Sequence, residues 1–265
     1  MAPDWQGMNS SKSLLEKSLS NDRLIILAGI AIVSVIAWMH MAGMTLERGH
    51  LVSHHSVDHW TISTFLSHFV MWIVMMVAMM LPTAGPMILT FSTISRGQRQ
   101  KKLPYVNTSI FVVGYIIVSI GYSLAATFLQ WWLHNNAMLT SIGASNSHIL
   151  SGMLLGVAGI YQWSRLKHAC LRFCRNPFNY LMTNWREGST GALYMGLKHG
   201  LLCTGCCWAL MALMFVGGVM NLLWMVVVTA IILIEKVAPK GDVFAKIAGV
   251  AMMTSGVYFI VVNFY

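Results

Sequence analysis

Charged residues are scarce in this 265-residue chain: they make up 9% of it, and only 8 residues are Asp or Glu. So low a charge excludes an ordinary soluble domain, in which about a quarter of the residues are charged. Hydrophobic residues make up 57%, and apolar stretches long enough to cross a hydrocarbon core about 30 Å thick recur along nearly the whole chain. The composition therefore predicts an integral membrane protein without a sizeable soluble domain.

Motifs of several enzyme and transporter classes are also lacking. The sequence has no Ser, His and Asp set for nucleophilic catalysis, no glycine-rich phosphate loop and no nucleotide-binding motif. Intramembrane carboxylates are absent apart from Glu235, at the inner end of the sixth predicted span, so proton-coupled transport through a buried acid is not expected. Residues 1–23 include Asp4, Glu16 and Asp22 and do not resemble a cleaved signal peptide.

Recurring apolar segments predict an all-α, polytopic membrane bundle of about seven transmembrane helices. The predicted spans are 24–42, 66–91, 107–130, 148–164, 199–217, 219–234 and 243–263. Only Gly217 and Gly218 separate the fifth span from the sixth, so a six-helix arrangement with a re-entrant segment is the alternative. We expect a short N-terminal segment, 1–23, followed by one transmembrane domain, 24–263.

The distribution of basic residues predicts the orientation, because Lys and Arg in short loops stay on the cytoplasmic side. With the N-terminus inside, the inner segments hold Lys12, Lys17, Arg23, Arg96, Arg99, Lys101, Lys102, Arg165, Lys167, Arg172, Arg175, Arg186, Lys236 and Lys240. The outer loops hold only Arg48, and Tyr265 is expected outside. The net charge of +9 is then a topology signal and a contact for anionic lipid, with no indication of nucleic-acid binding.

This topology places most histidine side chains on the outer side of the membrane and all five cysteines in the cytoplasmic half of the predicted bundle. Cys170 and Cys174 belong to a basic loop, CLRFCRNP, and the other thiols are Cys203, Cys206 and Cys207. A histidine-rich outer loop is predicted at 43–65, where His50, His54, His55 and His59 form pairs four residues apart. These histidines either collect a metal or belong to a plain solvated loop.

Sulfur recurs at helical spacing along two predicted helices. Because residues three and four apart share a face, Cys203, Cys206 and Cys207 converge, and their stripe continues through Met211 to Met214. Helix two carries Met71, Met75 and Met79, with Met76 and Met80 beside them, and Pro82 and Pro86 are expected to kink or break that helix. The end of helix one pairs His40 with Met44, next to Met41.

The side-chain chemistry of these stripes favours a soft transition metal. Thiolate and thioether select Cu(I), and neutral imidazole also suits copper. Methionine accounts for 21 residues, although methionine stripes also serve as packing material. Cys170 and Cys174 either complete the metal site or are a loop pair without a role. Copper is therefore the expected metal, and other soft transition metals remain alternatives.

Three segments carry a resemblance to a known family: MWIVMMVAMMLP, CLRFCRNP and GLKHGLLCTGCCWALMALMFVGGVMNLLWM. They resemble the bacterial and archaeal membrane proteins grouped as domain of unknown function 2182, which are described as predicted metal-binding integral membrane proteins and labelled copper chaperones. The resemblance covers roughly residues 65–260. It implies a multi-pass protein of the inner membrane that binds copper.

Together these observations predict a membrane protein that binds Cu(I) and delivers it to a membrane or extracytoplasmic copper enzyme, without catalysis of its own. One alternative is a non-catalytic accessory subunit of a multi-subunit membrane oxidase or monooxygenase. A second alternative is a thiol redox protein that passes electrons to a quinone. Membrane lipids are expected partners, and a multi-subunit membrane copper enzyme is a candidate partner.

Overall fold

The computed structural model describes residues 23–45, 60–100, 108–140 and 143–262, which form ten α-helices. The helices are α1 (Arg23–Thr45), α2 (Ile62–Gln100), α3 (Thr108–Asn135), α4 (His148–Gln162), α5 (Arg165–Arg175), α6 (Pro177–Asn184), α7 (Gly188–Ala212), α8 (Met214–Gly217), α9 (Leu222–Val237) and α10 (Gly241–Val262). The expectation of an all-α fold is confirmed for these residues.

Five stretches of the described chain are long and apolar enough to cross a membrane. They are α1, α2, α3, α7 with α8, and α10. Helices α4 and α9 have 15 and 16 residues, fewer than the roughly 20 that a bilayer core requires. The five long apolar stretches fit a membrane protein, whereas the count of seven spans stays a prediction.

The segment expected to be a basic loop is helical, so that expectation was wrong. Ser164 begins α5, because its hydroxyl oxygen accepts a hydrogen bond from the Lys167 backbone N–H at 3.1 Å. Pro177 then opens α6, where a missing backbone N–H costs nothing. As a result Cys170 and Cys174 lie four apart on one helix rather than in an irregular segment.

The predicted fifth and sixth spans correspond to two separate helices, α7 and α9, and the short helix α8 lies in the connection between them. Gly218 has a φ of 96°, a conformation that L side chains rarely adopt. Asn221 then caps α9, because its side-chain oxygen accepts a hydrogen bond from the Trp224 backbone N–H at 3.2 Å. The turn predicted from Gly217 and Gly218 is therefore present within this short connection.

Helix α2 runs unbroken through Pro82 and Pro86, so the expected break does not occur. Pro82 has no N–H and leaves the carbonyl of Ala78 without its helical partner. The indole N–H of Trp38 donates to that carbonyl at 3.1 Å. The carbonyl group that Pro82 leaves free therefore accepts a hydrogen bond that links α1 to α2. This link lies close to the methionine stripe of α2.

Glycines let two helix pairs approach closely. A Cβ on Gly114 of α3 would lie 2.6 Å from the Leu193 carbonyl oxygen of α7. A Cβ on Gly256 of α10 would lie 2.8 Å from the Gly152 carbonyl oxygen of α4. Small residues at such crossings are typical of helix packing in membranes. The α3–α7 contact fixes the helix that carries three of the five cysteines.

Candidate metal site

The cysteines of α5 and α7 form one thiol cluster, defined by Cys170, Cys174, Cys203, Cys206 and Cys207. The three on α7 are almost completely buried, at 1 to 2% exposure. The Cys174 thiol interacts with the thiols of Cys203 and Cys206. All five are free thiols. The structure therefore brings the two cysteine motifs together.

The two thiols of α5 lie outside the candidate membrane spans, and the pKa values of both are raised. Hydrogen bonds to Cys203 and Cys206, together with burial, raise the pKa of Cys174 well above its ordinary value. Burial also raises the pKa of Cys170. A raised pKa favours the protonated thiol, which is the form that can donate a hydrogen bond.

A buried lysine from α9 enters the thiol cluster. The Lys236 ammonium donates to the Cys203 sulfur at 3.0 Å and to the Thr83 hydroxyl at 3.1 Å, and it lies 3.9 Å from the Met80 sulfur. Sequence patterning had placed Lys236 among the charges of an inner segment, whereas it is 7% exposed. A buried cation needs an anionic partner, and a Cys203 thiolate provides one.

The sulfur stripes of α2 and α7 meet beside this lysine. The Met80 and Cys207 sulfurs are 3.6 Å apart, and the Tyr115 hydroxyl lies 3.5 Å from the Cys203 sulfur. The predicted ligands Met71, Met75, Met79 and Met211 are each buried to 1% exposure. From Met71 to Met80 the stripe runs about 14 Å along α2, ending at the thiol cluster.

Of the predicted outer ligands, only those of α1 belong to the described residues. His40 is exposed on α1, Met44 is partly buried against the core, and Met41 is buried. The remaining residues of this prediction, His50, His54, His55 and His59, lie outside the described residues. The outer metal-collecting site therefore stays a prediction.

A second buried ionic group lies next to the thiol cluster. Lys167 of α5 forms a 2.6 Å ion pair with Glu235 of α9, and both side chains are almost fully buried. Gln162 of α4 donates to the other Glu235 oxygen at 2.7 Å and accepts a hydrogen bond from Lys167. This group joins α4, α5 and α9 beside the thiol cluster.

One buried histidine, His199, lies a helical turn before Cys203 on α7. Its ring packs against the rings of Phe111, Tyr115 and Tyr180 at centroid distances of 5.9, 5.8 and 6.5 Å. Neither ring nitrogen has a hydrogen-bond partner among the described residues. It was not among the predicted ligands, although its spacing of four from Cys203 was visible in the sequence.

The donor set fits Cu(I) by its chemistry, since it offers buried thiols and a thioether. Within the described ranges, however, no three His, Cys, Asp or Glu side chains are grouped so as to hold a metal ion. The Lys236 ammonium lies 3.0 Å from the Cys203 sulfur and 3.9 Å from the Met80 sulfur, so it already contacts two sulfurs that could hold a metal. A bound ion would therefore require this ammonium to move aside.

The family model described as PpoB2, copper chaperone, matches residues 69–259, close to the range of the resemblance found in the motifs. The copper-chaperone character of that resemblance is confirmed, while the family name inferred from the motifs is not. No match was found among curated proteins or among solved structures.

Proposed function

Because the chain belongs to this copper-chaperone family, we propose that it binds Cu(I) in the thiol cluster and delivers it to a membrane or extracytoplasmic copper enzyme. The observation that carries the proposal is the 3.0 Å contact between the Lys236 ammonium and the Cys203 sulfur. An adjacent ammonium favours the thiolate, which is the form of cysteine that binds metal.

Charge balance explains why a lysine belongs in such a site. Cu(I) held by two thiolates carries one net negative charge, which would be costly to bury alone. The Lys236 ammonium brings the total to zero. Before copper arrives, the same ammonium balances the Cys203 thiolate, so the site stays near neutrality in both states.

Within the thiol cluster we assign Cys203 and Cys207 as the main ligands. They lie four apart on one face of α7, and Cys207 also contacts the Met80 sulfur. Cys206 and the α5 pair, Cys170 and Cys174, have supporting roles. Met71, Met75 and Met79 provide a track of thioethers that carry no charge to desolvate.

The direction of transfer depends on topology. With seven spans and the N-terminus inside, the thiol cluster lies toward the cytoplasm and the histidine-rich loop at 43–65 faces outward, where its imidazoles would collect metal. A reporter that is active only outside the cell membrane, fused after Tyr265, should then give a signal. A cytoplasmic reporter signal would overturn this topology and remove the metal-collecting role of the loop.

The Cys203→Ser/Cys207→Ser double variant tests the metal site. Serine changes the volume little but replaces soft sulfur with hard oxygen, so we expect Cu(I) affinity to fall by more than about 100-fold, beyond the loss usual for a residue that only supports a ligand. The measurement is competition for Cu(I) against a chelator, using reduced protein in detergent, with thermal melting to confirm folding.

The matched control is Cys170→Ser, which removes a buried thiol of α5. Its Cu(I) affinity should fall much less than that of the double variant. Unchanged affinity in a folded double variant would overturn the proposed function. An equal loss in the control would overturn the assignment of Cys203 and Cys207 as the main ligands.

A further inference from the structure

His199 is a buried histidine that has no role so far in the proposed copper site. Its side chain is 2% exposed, and both of its ring nitrogens are without hydrogen-bond partners in the described part of the chain. Buried polar groups in native proteins are nearly always hydrogen-bonded, and each exception calls for an explanation such as an ion. Two unsatisfied nitrogens on one ring therefore point to a ligand.

The surroundings of His199 are aromatic. Phe111 and Tyr115 stack on the ring at interplanar angles of 23° and 26°, and Tyr180 approaches it at 53°. The hydroxyl group of Tyr115 is already placed against the Met80 carbonyl oxygen and the Cys203 sulfur. The ring is thus held in place by stacking while its nitrogens stay available.

The thiol cluster begins one turn further along the same helix. His199 and Cys203 are four residues apart on α7, a spacing that puts two side chains on one face and that lets two helical residues bind one metal ion. Tyr115 links them, since its ring stacks on His199 and its hydroxyl contacts the Cys203 sulfur. Neutral imidazole is a copper ligand.

We infer that His199 supplies a nitrogen ligand to the Cu(I) bound by Cys203, so that the site is a mixed imidazole and thiolate site. This inference deepens the proposed function and rests on it. The nitrogen that binds copper gains the partner that it lacks in the described structure. Because imidazole is neutral, it adds a ligand without adding a charge to the balance between Cu(I), the thiolates and Lys236.

The variant that tests the inference is His199→Phe, which keeps an aromatic ring in the stack and removes both nitrogens. X-ray absorption at the copper edge of the reduced, Cu(I)-loaded protein should show a nitrogen scatterer beside sulfur in the wild type and sulfur alone in the variant. Cu(I) affinity should fall by about 10-fold. A residue that only packs would leave the copper spectrum unchanged.

The matched control is His68→Phe. His68 is also buried and also packs on an aromatic ring, that of Trp60 at 4.8 Å, but it belongs to α2 near the other end of the methionine stripe. The control should keep the wild-type copper spectrum. Loss of the nitrogen scatterer in the control would overturn the assignment to His199.

The outcomes separate this inference from the proposed function. Sulfur-only coordination in the wild type, or a nitrogen scatterer that persists in folded His199→Phe, overturns the inference and leaves copper binding intact. A wild-type protein that binds no Cu(I) overturns the proposed function itself. Should the variant fail to fold, nitrogen-15 NMR of labelled wild type decides: Cu(I) should shift one His199 ring nitrogen, and unshifted nitrogens overturn the inference.

Discussion

Two buried lysines lie close together in this protein, and their partners differ in kind. Lys167 is paired with Glu235 and bonded to Gln162, so its charge is balanced by a carboxylate. Lys236, the next residue after Glu235, is bonded instead to Cys203 and Thr83. The first group is balanced whatever else binds, whereas the second is balanced only while the cysteine is a thiolate.

This difference separates a structural ion pair from a functional one. The carboxylate of Glu235 has no ordinary competitor for Lys167, so that group can only hold α4, α5 and α9 together. A thiolate can also bind a soft metal, so the partner of Lys236 can be exchanged between states. We therefore expect substitutions in the first group to affect stability and substitutions in the second to affect copper.

The largest effect on stability is expected from Glu235→Gln. The amide keeps the size and the hydrogen-bonding oxygen but leaves the Lys167 ammonium without a balancing charge, and removing one partner of a buried pair typically costs about 3–5 kcal/mol. Thermal or denaturant unfolding in detergent measures the loss. Cu(I) affinity of the folded protein should stay close to that of the wild type.

The matched control for this variant is Glu187→Gln, at an exposed carboxylate. It should change the free energy of unfolding by less than about 0.5 kcal/mol. Two outcomes would contradict the assignment of Lys167 to a structural ion pair. One is a Glu235→Gln variant that is as stable as the control, and the other is a variant that loses copper affinity without losing stability.

An intermediate effect, on copper rather than on folding, is expected from Lys236→Met. The apolar chain fills similar space, and Cys203 can then remain a neutral thiol, so no buried charge is left uncompensated. Cu(I) bound by two thiolates would lose its countercharge, and we expect affinity to fall by about 10- to 100-fold, as for other groups that support metal ligands. Chelator competition measures the change.

Lys240→Met is the matched control, since Lys240 is exposed beyond the end of α9. It should bind Cu(I) like the wild type. Wild-type affinity in Lys236→Met would show that the ammonium has no part in the copper site and would make the two lysines equivalent structural groups.

The sequence predicted the helices and the thiol face for reasons that are local. Apolar runs of sufficient length predict membrane helices, and spacings of three and four residues place Cys203, Cys206 and Cys207 on one side of a helix whatever that helix packs against. The helical state of the CLRFCRNP segment was missed because its high charge suggested a loop. The capping Ser164 was the available signal.

The partners of the thiol cluster could not be predicted, because they depend on how helices are rotated against one another. Met79 and Met80 differ by about 100° around α2, and only the rotation of α2 relative to α7 selects Met80 as the neighbour of Cys207. Lys236 looked like an ordinary charge at a helix end. Its burial depends on the contacts of α9 with α2 and α7.

The smallest effect is expected from Thr83→Val, which sharpens the comparison by removing only the neutral partner of Lys236. The Thr83 hydroxyl accepts from Lys236 at 3.1 Å and donates to the Met80 carbonyl at 2.8 Å, and valine keeps nearly the same shape. The Cys203 contact of the ammonium remains, so the charge balance with Cu(I) is preserved. We expect Cu(I) affinity to change by less than about 5-fold, with a loss of about 1–3 kcal/mol in unfolding free energy for the unsatisfied donor.

Chelator competition and unfolding on the same preparation measure both quantities. If Thr83→Val lost as much copper affinity as Lys236→Met, the hydroxyl rather than the thiolate would be the partner that matters to the ammonium, and Cys203 would lose its assigned role as its counterion.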